Sequence, residues 1–123
     1  MANQVVWFDI PVKNLERAMQ FYAAVLDVKV DKQVHGTFAI ATFPHEGNDV
    51  GGCLAPADEE NKPSEVGPLL YLRAEGRLDA AVTAAGANGG KVVKPKHPIG
   101  PYGFRAVVID SEGNRVALHS TVE

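Results

Sequence analysis

Two helical stretches, LERAMQFYAAVL at 15–26 and LDAAVTAAGA at 78–87, each sit between one strand-like segment and a run of three more. This duplicated order constrains the fold more than any single residue. The first block reads NQVVWFDI (3–10), the helix, then VKVDKQV (28–34), TFAIATF (37–43) and VGGCLA (50–55). The second reads LLYLRA (69–74), the helix, then KVVK (91–94), FRAVVID (104–110) and NRVALHS (114–120). The strand segments are short, β-branched and bounded by Gly, Pro, Asn and Asp, while the helical ones space their apolar residues three and four apart. Asn14 is suited to cap the first helix, and Asn88-Gly89-Gly90 to stop the second. Pro11 is expected to end the first strand.

The expected fold is therefore α+β: a single domain over 1–123, made of βαβββ module one (3–56), an acidic, proline-rich linker (57–68) and βαβββ module two (69–120). A helix covers one face of each four-stranded sheet and leaves the other face open. Two such sheets side by side make a curved, open trough whose wall takes every second residue of each strand. Met19, Tyr22, Val82 and Ala85 are then core.

Bulk properties narrow the function. The chain has 123 residues with 12 Lys+Arg against 15 Asp+Glu, a net charge of −3, and no basic block for a nucleic-acid backbone. No apolar run reaches the roughly 20 residues of a membrane helix, and the N-terminus has no secretory pattern. One cysteine, Cys53, excludes an intrachain disulfide. The expectation is a cytoplasmic protein that binds neither nucleic acid nor membrane.

Three stretches carry a resemblance: WFDIPVKNLERAMQFYAAVLDVKV, GRLDAAVTAAGANGGKVVKPK and GPYGFRAVVIDSEGNRVALHS. They are similar to the vicinal-oxygen-chelate superfamily of glyoxalase I, bleomycin-resistance proteins and extradiol dioxygenases, within a branch related to lactoylglutathione lyase. The resemblance implies a homodimer with clefts near the seam between modules. In metal-dependent members it also implies four inward His or Glu ligands on the first and last strand of each module. Carried over one at a time, those positions fall on Trp7, on Leu69 or Leu70, on Cys53 or Leu54, and on Ala117. None is His, Asp or Glu, so neither metal nor other cofactor is expected. The leading expectation is a small-molecule-binding protein without the standard metal site. The alternative is a metal-dependent lyase or dioxygenase whose divalent cation is held by a site rebuilt from Asp9, Cys53 and His119.

The remaining candidates keep two readings each. His119 shares a face with Ala117 and is a proton carrier, or a histidine where a strand ends. Asp9 shares a face with Trp7 and is a base in the trough, or bonds the backbone near Pro11. Trp7 stacks on a planar ligand or fills the vacated ligand position as core. Tyr71 with Arg73, and Arg105 with Val107, each share a face, and an inward arginine suits a carboxylate or phosphate. Tyr102 and Phe104 close over an apolar ligand or cap the trough's edge. Cys53 reads as a small buried hydrophobe. His35, His45 and His97 fall in turns or loops with nothing in sequence to pair them, and Gly51-Gly52 is too short to cradle a phosphate.

Overall fold

The computed structural model describes residues 3–123. Met1 and Ala2 of the expected domain lie outside the described residues. Module one comprises β1 (Trp7–Val12), α1 (Leu15–Leu26), β2 (Asp31–His35), β3 (Phe38–Thr42) and β4 (Gly51–Pro56). Module two comprises β5 (Leu70–Arg73), α2 (Leu78–Ala87), β6 (Lys91–Pro98), β7 (Phe104–Ile109) and β8 (Arg115–Ser120), with a short 3-10 turn at Gly100–Tyr102. Each module folds its strands into one sheet, in the orders β1-β4-β3-β2 and β5-β8-β7-β6. The first strand runs parallel to the last, and the other neighbours are antiparallel. The architecture is α+β, with two open four-stranded mixed sheets and two helices.

Two strands run further than the prolines suggest. β1 continues through Pro11 to Val12, and β6 through Pro95 to Pro98. Both are edge strands, where a missing N–H costs no ladder bond. β6 absorbs its prolines with two shifts of register against β7.

The helices hold the modules together. Asn14 caps α1 by accepting from the Arg17 N–H at 3.0 Å. Phe21, Tyr22 and Val25 on α1 share one continuous core with Ala81 and Ala85 on α2, and with Leu54 and Leu118. Each large apolar side chain so buried contributes roughly 1.5–3 kcal/mol. Met19 and Val82, expected as core, sit partly buried against it.

A polar clip reinforces this seam at the β7–β8 turn. Asp110 Oδ1 accepts from the N–H groups of Glu112, Gly113 and Asn114, which folds DSEGN into a tight turn. Its Oδ2 accepts from the Tyr22 hydroxyl at 2.5 Å. Burial first, then the Asp110 carboxylate, push the Tyr22 hydroxyl well above its ordinary pKa, so it stays a donor. Glu112 accepts from the Lys13 and Asn14 N–H groups and from the Arg17 guanidinium. Arg77 donates to the Val25 carbonyl, and Asn114 to the Pro11 carbonyl. Among the described residues, every side-chain hydrogen bond between the modules lies in this helix-side region, which leaves the opposite face of each sheet free.

Candidate functional site

Strand alternation divides each sheet cleanly. Ile10, Val12, Ala41 and Leu54 face α1, whereas Trp7, Asp9, Thr42 and Cys53 lie on the open side. In module two, Leu70 and Leu72 pack toward the core, with Ala106 and Leu118. Tyr71, Arg73, Arg105, Ala117 and His119 share the open side.

On module one, Asp9 is the hub. Its Oδ1 accepts from Trp7 Nε1–H at 3.0 Å and from the Cys53 thiol at 3.2 Å. It thus bonds side chains, not the backbone beside Pro11. Burial first, then the hydrogen bond to Asp9 and its charge, push the Cys53 thiol up to about 11. A protonated thiol is neither a nucleophile nor a metal ligand. Trp7 is not core: it is 43% exposed, with its ring across Gly51 and its edge against His45. A Cβ on Gly51 would stand 2.6 Å from that ring, and one on Gly52 would run into the Phe8 ring on the opposite face. The glycine pair is therefore a seat for two aromatic rings.

Module two gathers basic groups. Arg105 Nε–H donates to His97 Nε2 at 3.0 Å, and Nη1 donates to the Tyr71 hydroxyl oxygen at 2.5 Å. His97 Nδ1 lies 2.8 Å from the Pro95 carbonyl. Because a carbonyl only accepts, Nδ1 carries the proton and Nε2 offers its lone pair to Arg105. His119 Nε2 lies 2.6 Å from the Tyr102 carbonyl, which fixes the proton there and leaves Nδ1 free of that contact. The His119 ring meets Tyr71 edge-on at 6.2 Å.

Several expectations change at this point. Phe104 packs against the core and lines no ligand face, since it alternates with Arg105. His97 is on a strand and paired, which sequence alone does not reveal. Tyr102, 73% exposed, sits at the rim and reaches the site through its carbonyl. Leu69 precedes β5 and Leu70 faces inward to the core.

Strand register also sorts the positions of the expected metal ligands. Trp7 pairs with Gly51 on β4, and Tyr71 pairs with Ala117 on β8. The core partners align Ile10, Leu54 and Ala41 of module one with Leu72, Leu118 and Ala106 of module two, so Cys53 matches Ala117 and, by the same count, Trp7 matches Leu69. An indole, a leucine, a protonated thiol and an alanine methyl do not form a donor set for a divalent cation. Asp9 and Cys53 do meet, but His119 lies on the other sheet, and among the described residues no three His, Cys, Asp or Glu side chains cluster as metal ligands. The residues present do not fit the metal.

Hollows of about 240 and 300 Å³ open along the seam. The first is lined by Asp9, Leu70 and Arg115, and the second by Phe8, Leu72 and Arg73. A third, about 410 Å³, lies on the open face of module one between Trp7, Gln33, Thr42 and His45. Among the described residues no helix is long and apolar enough to cross a membrane.

The profile of the Glyoxalase/Bleomycin resistance protein/Dioxygenase superfamily matches residues 4–118. Solved structures share the fold. A glyoxalase/bleomycin resistance protein from Albidiferax ferrireducens superposes with a TM-score of 0.76 at 18% identity, covering 96% of this chain and 98% of that one. The fosfomycin resistance protein FosX from Listeria monocytogenes gives 0.68 at 16% identity, covering 98% and 94%. A mutant of glyoxalase I from Zea mays gives 0.69 at 19% identity, covering 94% of this chain and 46% of that one. No curated protein matches the sequence.

Proposed function

The chain belongs to the glyoxalase/bleomycin resistance/dioxygenase superfamily, and from that premise we propose a metal-independent small-molecule-binding protein that works as a homodimer. The observation that carries this reading is the pair of exposed aromatic rings on the open faces, Trp7 beside Gly51 and Tyr71 beside Ala117, with no metal-ligating group at Trp7 or Ala117. Flat rings at 43% and 45% exposure suit a planar or apolar ligand.

The dimer follows from what the faces lack. Among the described residues no hydrogen bond, ion pair or ring contact joins the open face of module one to that of module two. The first carries Asp9 and Asp31, and the second Arg73 and Arg105. Opposite charge favours laying module one of one copy against module two of another. A two-fold operator makes that contact twice and yields two equivalent clefts.

Light scattering is expected to report a dimer, and Asp9→Arg to shift it toward monomer. Untagged protein grown with Ni, Zn, Mn and Fe is expected to carry no stoichiometric metal. A bound equivalent, lost on His119→Ala, would instead support the lyase or dioxygenase reading.

A further inference from the structure

We propose that Arg105 is the anchor for a carboxylate on the ligand, with the Tyr71 hydroxyl as its second donor. The assignment rests on the ligand lying against the open faces. A guanidinium has five N–H donors; Arg105 commits Nε–H to His97 and one Nη1–H to Tyr71, and the others stay unspent. Among the described residues no carboxylate lies within ion-pair distance of Arg105, whereas Arg17 is paired with Glu112, Lys32 with Glu16, and Lys96 with Asp79. Its two partners are neutral oxygen and nitrogen acceptors that orient the group without cancelling its charge.

The setting adds to this. Arg105 is half-buried, which weakens solvent screening. Arg73, His119, Arg105 and His97 form one unbroken row across β5, β8, β7 and β6, with no acidic member. Tyr71 accepts from Arg105 at its oxygen, so its own proton is free to point away from the guanidinium. A phenol O–H beside an oriented planar cation matches the two oxygens of a carboxylate. Tyr71 also places a ring there, with the Arg105 guanidinium 5.9 Å from its centre. The ligand class is a compact acid with an apolar or planar body beside its carboxylate.

Benzoate, its neutral isostere benzamide, and phenylphosphonate test this by calorimetry on the full-length protein. Benzoate is expected to bind best. Arg105→Gln is expected to weaken benzoate by about tenfold or more, and Tyr71→Phe by a few-fold. Melting curves of both variants check the fold, and Tyr71→Phe, which removes one oxygen, keeps the test sharp should Arg105→Gln unfold. Equal affinity for benzoate and benzamide, or undiminished binding by Arg105→Gln, overturns the anchor. So does a preference for phenylphosphonate. Trp7 is the only tryptophan, and its emission separates the two failures. If benzamide and benzoate shift it equally, the open-face site stands and only the anchor falls. If none of the three binds and the protein is a monomer, both fall.

Discussion

The open faces of the two sheets follow one backbone plan and carry opposite chemistry. One row of module one runs Asp9, Cys53, Thr42, Asp31, and one row of module two runs Arg73, His119, Arg105, His97. Each face also carries an exposed aromatic beside a small residue, Trp7 by Gly51 and Tyr71 by Ala117, at positions two residues apart in the shared plan. The faces thus share an aromatic-by-small pairing without sharing its place, and their charges are opposite. Two identical acidic faces would repel each other, whereas an acidic and a basic face attract. In the dimer proposed above, a cation would face the ligand from one side and a carboxylate from the other, giving a bound acid one preferred orientation.

The largest effect is expected where the two sheets are held in a common frame. The Glu112 side chain is fully buried. Burial alone would raise its pKa, but hydrogen bonds from Arg17, the Asn14 N–H, Ser111 and the Lys13 N–H outweigh it and hold it at about 2. A folded-state pKa below the ordinary carboxylate value gives stability that is complete above about pH 4.5 and lost as pH falls toward about 2. Glu112→Ala is expected to cost about 3 kcal/mol in urea unfolding at pH 7, the lower end of the range because Arg17 is half exposed and can turn to water. Its stability should also lose this acid dependence. An unchanged acid limb would show that the clip is not what joins the modules.

A smaller effect tests the hub of module one. With its thiol pushed up to about 11, Cys53 is expected to react with iodoacetamide at pH 8 about a hundredfold more slowly than a free cysteine. Asp9→Asn removes the carboxylate charge that helps hold the proton, and should speed alkylation. Reaction of the wild-type thiol at the free-cysteine rate would remove Asp9 as its acceptor.

The element order, the α2 span Leu78–Ala87 and the Asn14 cap are legible in the sequence because they depend on local spacing and single side chains. Alternation likewise puts His119 on the open side and Arg105 on one face with Val107, whereas Phe104, expected at the ligand or the rim, packs against the core. His97 escapes this reading. The register of β6 shifts twice between Val92 and His97, so counting by twos from Lys91 loses the phase, and two prolines hide the strand. Asp9 is similarly opaque, because its partners are decided by β1 lying parallel to β4, a pairing across 44 residues of sequence. Gly51-Gly52 carries no local sign of its role, since the rings it seats come from β1.

That seat supplies the finest test of the likeness between the faces. Gly51 and Ala117 each pair with an exposed aromatic, Trp7 and Tyr71, yet only the second has a methyl group. Gly51→Ala would bring a Cβ to 2.6 Å from the Trp7 ring, but the ring lies half in solvent and can swing aside. The expected cost is about 1 kcal/mol or less, with a red shift in Trp7 emission as the indole leaves Asp9. Gly52→Ala makes the same change on the opposite face, where the Phe8 ring packs against the core and Phe43, and is expected to cost about 1–3 kcal/mol with little change in emission. If Gly51→Ala proves the costlier of the two, Trp7 is pinned more firmly than its exposure implies, and module one then offers a rigid wall where module two offers Tyr71 beside Ala117.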